Sequence, residues 1–162
     1  MKQAVWGLAV ICLGLFIPAA GSAQSALENP PNGGKVSGIS IISGWKCAAG
    51  VITFTIDNGP PGRLLHGVSR NDTATACSND GENGFIAEWN WGLTGPGQHT
   101  IRVFDDGVEF AEATFSVATF GTEFLRGASG MYLVPNFPKT GDEAIIEWEE
   151  NLQNFVITDT SP

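Results

Sequence analysis

Apolar and polar residues alternate along much of the chain, which is the pattern of strands that bury one face. The alternation is regular over residues 51–56 and recurs over 85–91. It is clearest in the two segments 97–105 and 108–117, which are separated by an Asp-Gly pair at 106–107. An Asp-Gly pair between alternating segments predicts a β-hairpin with a tight turn. The pattern therefore predicts a domain built mainly of antiparallel strands.

The last part of the chain carries shorter patterns. Residues 131–134 predict a short strand, and residues 144–148 and 155–158 predict a final hairpin across 149–151. A short helix over 143–152 is the alternative, because glutamate and alanine favour helices. Alternation within this segment favours strands, and no long amphipathic helix is evident elsewhere. The fold class predicted is all-β.

The first residues predict export. Lys2 precedes an apolar stretch over residues 4–18, and small residues follow up to Ala23. This is typical of a signal peptide over residues 1–23, cleaved after Ala23. An uncleaved membrane anchor is the alternative, but the stretch is shorter than the roughly 20 apolar residues that a spanning helix needs. We expect a secreted or periplasmic protein with no transmembrane segment in the mature chain.

Export changes the interpretation of the cysteines. Cys12 leaves with the signal peptide, so the mature chain keeps Cys47 and Cys77. Two cysteines in an oxidising compartment predict one disulfide bond. A free thiol pair or a shared metal is the alternative, and a shared metal needs neighbouring ligands that the sequence does not offer.

The net charge and the absence of known catalytic motifs disfavour several classes of function. The formal net charge is −9, with 17 acidic and 8 basic residues. Such a chain is a poor binder of nucleic acid or anionic membranes. No nucleophile elbow, phosphate loop, HExxH motif or CxxC pair is present. We therefore expect no enzyme, no cofactor and no bound metal.

Several motifs resemble those of the immunoglobulin-like domains common in bacterial secreted and surface proteins. They are a proline-glycine lead-in to a V-x-G strand at 30–38, an Asp-Asn turn at 57–58, and G-x-H-T-I-x-V, D-x-G and T-F-x-V motifs over 97–117. The resemblance covers about residues 29–118. It implies an immunoglobulin-like β-sandwich that serves as a spacer, adhesion or ligand-binding module without catalysis. We expect this domain over 24–118, with a C-terminal β-hairpin extension over 119–162 that packs on the sandwich or completes it.

The candidate ligand-binding residues lie in one loop region and at one strand end. Arg63, His66, Arg70 and Asp72 belong to or precede a long polar loop, which is where sandwiches place recognition. Trp91 shares an alternating face with Phe85, Ala87 and Trp89, but its place near the strand end predicts an exposed ring. The function predicted is an exported non-enzymatic module for structural, adhesive or protein-binding roles. Its partner is an unknown protein or a glycan.

Two alternatives use other chemistry. Exposed aromatic rings predict a carbohydrate-binding module, because flat rings stack on sugars. A small secreted hydrolase or a calcium-dependent binder would need His66, a carboxylate pair or the oxygen-rich loop 72–83. Carboxylates recur at 105–106, 109 with 112, and 147–150, but acidic strand and turn residues usually face solvent. His99 begins a strand and is assigned a packing or hydrogen-bonding role.

Overall fold

Twelve β-strands make up most of the computed structural model, which describes residues 24–161. The predicted signal peptide, residues 1–23, lies outside the described residues. The strands are β1 Ser25–Asn29, β2 Lys35–Val36, β3 Ile39–Lys46, β4 Ile52–Ile56, β5 Gly62–Arg63, β6 Leu65–Val68, β7 Gly84–Asn90, β8 Gly97–Asp105, β9 Val108–Val117, β10 Met131–Pro135, β11 Glu143–Glu149 and β12 Asn154–Ser161. One helical turn, α1, spans Ala74–Cys77, and 3₁₀ turns span Asn71–Thr73, Trp91–Leu93 and Glu150–Leu152. No helix among residues 24–161 is long and apolar enough to cross a membrane.

Nine strands form two sheets. The first sheet has the order β1-β3-β7-β6, and the second has the order β2-β9-β8-β4-β5. All neighbours are antiparallel except β2 and β9, which run parallel. In an immunoglobulin-like sandwich, strands A, B, E and D form one sheet, and strands C, F and G form the other. Strands β1, β3, β7 and β6 and strands β4, β8 and β9 occupy those places, which confirms the predicted fold class.

Apolar side chains from both sheets meet between them. Alternation in β8 and β9 points every second side chain inward, as the hydrophobic pattern predicts. Phe110 is displaced from this alternation because the pairing register shifts between Val103 and Phe104. The displaced ring packs against the core edge-on to Phe85. The core consists of Ile42, Ile52, Phe54, Leu64, Phe85, Trp91, Ile101, Val103, Ala113, Phe115 and Val117.

Two tight turns follow from residue types that tolerate positive φ. Asp106 and Gly107 have φ values of 47° and 83°, as a two-residue type I′ hairpin turn requires. Asp57 and Asn58 have φ values of 51° and 61° where β4 ends. Aspartate and asparagine adopt this conformation more readily than most side chains. Both turns therefore lie where the sequence predicts them.

Asp57 also fastens its turn to β8. Its carboxylate contacts the His99 imidazole and accepts a hydrogen bond of 2.9 Å from the Thr100 backbone N–H. The other ring nitrogen of His99 lies 3.1 Å from the Gly95 carbonyl oxygen. Partial burial acts to raise the pKa of Asp57. The hydrogen bonds with His99 and Thr100 and the charge of the imidazole together hold that pKa below its usual value.

We expect Asp57→Asn to lower Tm at neutral pH, and we expect the difference from the wild type to vanish on acidification. The unfolded-state pKa lies near 3.8, and the folded-state pKa lies below it. The contribution of the carboxylate is therefore complete above the unfolded value and is lost as pH falls through the folded value. The effect is at most a few degrees, because the Asp57 side chain is 50% exposed. Thermal unfolding at a series of pH values checks this, and a difference that grows in acid would contradict it.

The predicted disulfide joins Cys47, just after β3, to Cys77 at the end of α1. It anchors the loop between β6 and β7 to the neighbouring strand of the same sheet. The loop is also held by side-chain hydrogen bonds that the sequence does not predict. The buried Asn83 side chain donates a hydrogen bond of 2.8 Å to the hydroxyl of buried Thr73. The loop is therefore held at several points rather than by Cys77 alone.

The C-terminal extension is a three-stranded antiparallel sheet in the order β10-β11-β12. The predicted strand at 131–134 and the predicted final hairpin are confirmed. The helix considered over 143–152 is reduced to the 3₁₀ turn Glu150–Leu152, which connects β11 to β12.

The extension meets the sandwich near this 3₁₀ turn. The Ser37 hydroxyl donates a hydrogen bond of 3.1 Å to the Asn154 side chain. Gly38 approaches the turn so closely that a Cβ there would lie 2.4 Å from the Leu152 carbonyl oxygen. The segment after β9 is held to the extension by Gln153, whose side chain bonds both the N–H and the carbonyl of Leu125. The junction between the two parts is therefore an end-on contact that requires glycine at position 38.

Candidate functional site

Arg70 and Asp72 serve the structure of the loop. The Arg70 guanidinium donates two hydrogen bonds to Glu28 on β1, at 2.6 and 3.0 Å. It donates two more to Asp72, at 2.9 and 2.7 Å. The bonds to Asp72 and Glu28 raise the pKa of Arg70, and Arg70 lowers the pKa of Asp72. A ligand at these side chains would have to compete with ion pairs that already exist.

Trp91 is buried, so the expectation that its ring is exposed is wrong. The side chain is 0% exposed and packs edge-on against Phe115. Its indole N–H donates a hydrogen bond of 2.7 Å to the Ser40 hydroxyl. The reason is local, because the 3₁₀ turn that begins at Trp91 keeps the ring directed inward and leaves Leu93 exposed instead. The ring therefore offers no surface to a ligand.

Arg63 and His66 are the two candidates that share a concave surface. They line a groove of about 450 Å³ together with residues 50–52 and the two leucines between them. Nε2 of His66 is buried and has no hydrogen-bond partner among the described residues. The groove lacks a neighbouring carboxylate or hydroxyl among its lining residues that would orient a histidine for catalysis. It is a polar depression at the edge of the sandwich.

The paired carboxylates of the sandwich are engaged in structural contacts. Asp105 lies 3.3 Å from the Lys46 ammonium, and Asp106 accepts a hydrogen bond from the Val51 N–H. Glu109 and Glu112 both lie beside the Arg102 guanidinium. These contacts describe a salt-bridged surface and not an acid–base pair across a cleft.

The oxygen-rich loop uses its side chains to shape turns. The Asn79 side-chain oxygen accepts hydrogen bonds from the Gly81 N–H and the Asn83 amide, at 3.0 and 2.9 Å. The Asp80 carboxylate lies 3.4 Å from the Glu82 N–H. Within residues 24–161, no group of three or more His, Cys, Asp or Glu side chains is placed to hold a metal ion.

The most exposed apolar surface lies on the C-terminal extension and the segment that leads to it. None of the candidate residues predicted from the sequence belongs to this surface. Nine of the fourteen exposed large hydrophobic side chains of the described chain lie after residue 118, although that part is the smaller one. They are Phe120, Phe124, Met131, Tyr132, Leu133, Phe137, Leu152, Phe155 and Ile157.

Strand register places three of these residues, Tyr132, Phe155 and Ile157, on one face of the extension. Tyr132 lies opposite Ile146, Trp148 opposite Phe155, and Ile146 opposite Ile157, so these side chains point the same way. Tyr132 and Trp148 each pack edge-on against Phe155. We call this surface the apolar face: Tyr132, Val134, Ala144, Ile146, Trp148, Phe155, Ile157 and Thr160.

A cleft opens where the apolar face meets the sandwich. Its volume is about 300 Å³. Its walls come from the connection between β2 and β3, the end of β7, the segment after β9, Trp148 on β11 and the start of β12. Phe120 packs edge-on against Trp148 at a centroid distance of 6.5 Å. The Trp148 indole N–H is buried and has no hydrogen-bond partner among the described residues. We call this space the junction cleft.

The signal for this surface is present in the sequence. Alternation places tyrosine, tryptophan and phenylalanine on the same face of three strands, and among residues 24–161 this sheet has no fourth strand. The sequence pattern predicts the strands, but their register decides that the rings converge. Comparison of the chain with protein-family models, curated proteins and solved structures finds no significant match, so its strand order alone identifies its architecture.

Proposed function

We propose that this protein is an exported, non-enzymatic protein-binding module whose recognition surface is the C-terminal extension. The observation that carries the proposal is the apolar face, which the described residues leave partly uncovered. A sheet normally buries its apolar face against another layer. An exposed apolar patch on a stable domain is typical of an interaction site.

Export is supported by the predicted signal peptide and by the disulfide, since such bonds persist in oxidising compartments. The absence of enzymatic activity is supported by how the described carboxylates and histidines are used. Asp105, Asp106, Glu109 and Glu112 are held in ion pairs and turns. His99 packs beside Asp57 and Phe115.

The edge of the extension indicates how a partner would bind. Strand β10 pairs with β11 on one side, and no described strand pairs with its other side. An open edge accepts an extended segment from another protein as an additional strand. Every second side chain of such a segment would lie on the same side of the sheet as the apolar face and would extend it.

The negative charge of the extension indicates which residue types the remaining side chains of that partner segment have. The face of the extension opposite the apolar face carries Glu143, Glu147 and Glu149 on β11 and Asp159 on β12, together with Ile145 on β11 and Met131 and Leu133 on β10. The extension and its lead-in contain the basic residues Arg126 and Lys139 against seven acidic ones. A second copy of this chain would bring like charges together. The partner we propose is an extended segment that alternates apolar with basic residues, whose stems would lie over Met131 and Leu133 on β10 while their charges reach these carboxylates.

Selection of random nonapeptides on the mature protein tests the proposal. We expect the selected peptides to alternate apolar residues with lysine or arginine. Tyr132→Ser, on the apolar face at the open edge of β10, should weaken their binding by about tenfold or more. The matched control is Leu65→Ser on β6, an edge strand of the first sheet. Tyr132 and Leu65 are both exposed, at 58% and 68%.

Fluorescence anisotropy with labelled selected peptides measures the affinities. Equal weakening by Tyr132→Ser and Leu65→Ser would contradict the proposal, because the open edge would then have no special role. Enrichment of acidic peptides, or no enrichment, would contradict it too. Analytical ultracentrifugation completes the test, since a dimer disrupted by Tyr132→Ser would identify a second copy as the occupant.

A further inference from the structure

The pairing of β10 with β11 determines which backbone groups of β10 face its open edge. The backbone N–H of Trp148 donates a hydrogen bond of 2.9 Å to the carbonyl oxygen of Gly130, just before β10 begins. In an antiparallel pair, opposite residues exchange hydrogen bonds at every second position. The next bonding residues of β10 are therefore Tyr132, opposite Ile146, and Val134. The N–H and C=O groups of the remaining β10 residues point away from β11, toward the open edge.

Three residues of β10 supply backbone groups to this edge. Met131 and Leu133 each present an N–H and a C=O. Pro135 presents a C=O alone, because proline has no N–H. Among residues 24–161, no strand lies beside these groups. A partner strand can therefore form hydrogen bonds only at alternate positions of β10.

The same groups favour one direction of the partner strand. An antiparallel segment would exchange hydrogen bonds with Met131 and with Leu133, and it would also donate one to the Pro135 carbonyl. A parallel segment would place its bonding residues beside Tyr132 and Val134, and the second of these would lack the bond that Pro135 cannot donate. Antiparallel pairing is also slightly more stable per residue. The edge therefore favours an antiparallel strand.

Strand register assigns a chemistry to the bonding residues of the partner. Met131 lies opposite Glu147, and Pro135 lies opposite Glu143. Neither glutamate has an ion pair among the described residues. A lysine or arginine beside Met131 or Pro135 would lie over that β10 residue and reach the carboxylate beyond it. Partner residues at the intervening positions would lie on the side of the apolar face.

We propose that β10 receives an antiparallel segment in which the basic residues, and not the apolar ones, form the backbone hydrogen bonds. This inference rests on the proposed function and specifies its partner. Basic residues lie beside Met131 and Pro135, and apolar residues lie beside Tyr132 and Val134. The segment therefore has the order basic, apolar, any residue, apolar, basic, and the backbone groups of its apolar residues point to solvent.

N-methylation of one amide at a time in the tightest selected nonapeptide tests this inference on the wild-type protein. The methyl group replaces the amide hydrogen, so it removes a donor and hinders the approach of two strands. We expect methylation of either basic residue, or of the residue midway between them, to weaken binding about tenfold or more. Methylation of the apolar residues is the matched control and should change the affinity no more than about threefold. Fluorescence anisotropy measures both.

A proline substitution tests the same bonds from the side of the protein. Leu133→Pro removes an N–H that points to the open edge and leaves the bonds to β11 in place, since edge strands tolerate proline where its nitrogen faces solvent. It should weaken peptide binding about tenfold or more relative to Leu133→Ala, which keeps the N–H. Near-ultraviolet circular dichroism checks that both variants keep the fold.

Sensitivity to methylation at the apolar residues would indicate a parallel segment and overturn this inference. Equal tolerance at every position, or equal affinity of Leu133→Pro and Leu133→Ala, would overturn it as well. If Tyr132→Ser still weakened binding in that case, the apolar face would stand as the recognition surface without an added strand. A selection that enriches no peptide would contradict the proposed function, and this inference with it.

Discussion

Replacing Trp91 with alanine is expected to lower the free energy of unfolding by about 3–5 kcal/mol, the range for removing a large buried aromatic side chain. Trp91 has no exposed surface and packs against Phe115 between the two sheets. Its removal leaves a cavity and deprives the Ser40 hydroxyl of its hydrogen-bond donor. Urea unfolding followed by circular dichroism measures the change.

The neighbouring residue supplies the control. Leu93 lies in the same 3₁₀ turn but is exposed, so Leu93→Ala should change the stability by no more than about 0.5 kcal/mol. A Trp91→Ala protein as stable as the wild type would show that the ring is not part of the core. Loss of ligand binding without loss of stability would restore the original expectation for this residue.

Removing the disulfide is expected to destabilise the protein by about 3–4 kcal/mol in the chain-entropy model. Cys47 and Cys77 are separated by 30 residues, so their bond restricts a long segment of the unfolded chain. The double variant Cys47→Ala/Cys77→Ala is compared with the oxidised wild type in urea unfolding. Reduction and alkylation of the wild type should give a similar loss.

The hydrogen bonds that remain in the loop between β6 and β7 should hold it in place when the disulfide is absent. Arg70 still joins Glu28, and Asn83 still joins Thr73, in a protein without the bond. We therefore expect the double variant to keep its fold and its near-ultraviolet circular dichroism. Stability equal to the wild type would contradict the prediction, because the cross-link would then contribute nothing beyond these contacts.

Much of the fold could be predicted from local pattern. The alternation in β8 and β9 and the Asp106-Gly107 turn specify a hairpin without knowledge of the rest of the chain. The disulfide follows from two cysteines in a chain that its first residues predict to be exported. Such features depend on residues close in sequence or on composition, which is why they can be predicted from a single sequence.

The error at Trp91 has a different origin. The alternation through Phe85 and Trp89 placed Trp91 on the inward face, and only its position at the strand end argued for exposure. The strand does end at Asn90, but the following turn preserves the inward direction. Whether a terminal side chain enters the core depends on backbone geometry after the strand, which alternation does not encode.

The candidate site could be predicted only in part. The aromatic residues of the extension were visible in the sequence, and their strands were predicted. Their convergence depends on the register of β10, β11 and β12, and the junction cleft depends on the close approach at Gly38. These are contacts between distant residues, and no local pattern determines them.

The parallel pairing of β2 with β9 has a mechanical consequence for the sandwich. The chain enters at one end of this pair and leaves at the other, so tension between the two termini would shear the pair rather than peel it apart. Its backbone hydrogen bonds would carry load together and not one after another. They join Gly33 to Thr114, Ser116 to Gly34 and Ala118 to Val36. The sandwich would thus resist pulling at the place where β2 meets its last strand, β9.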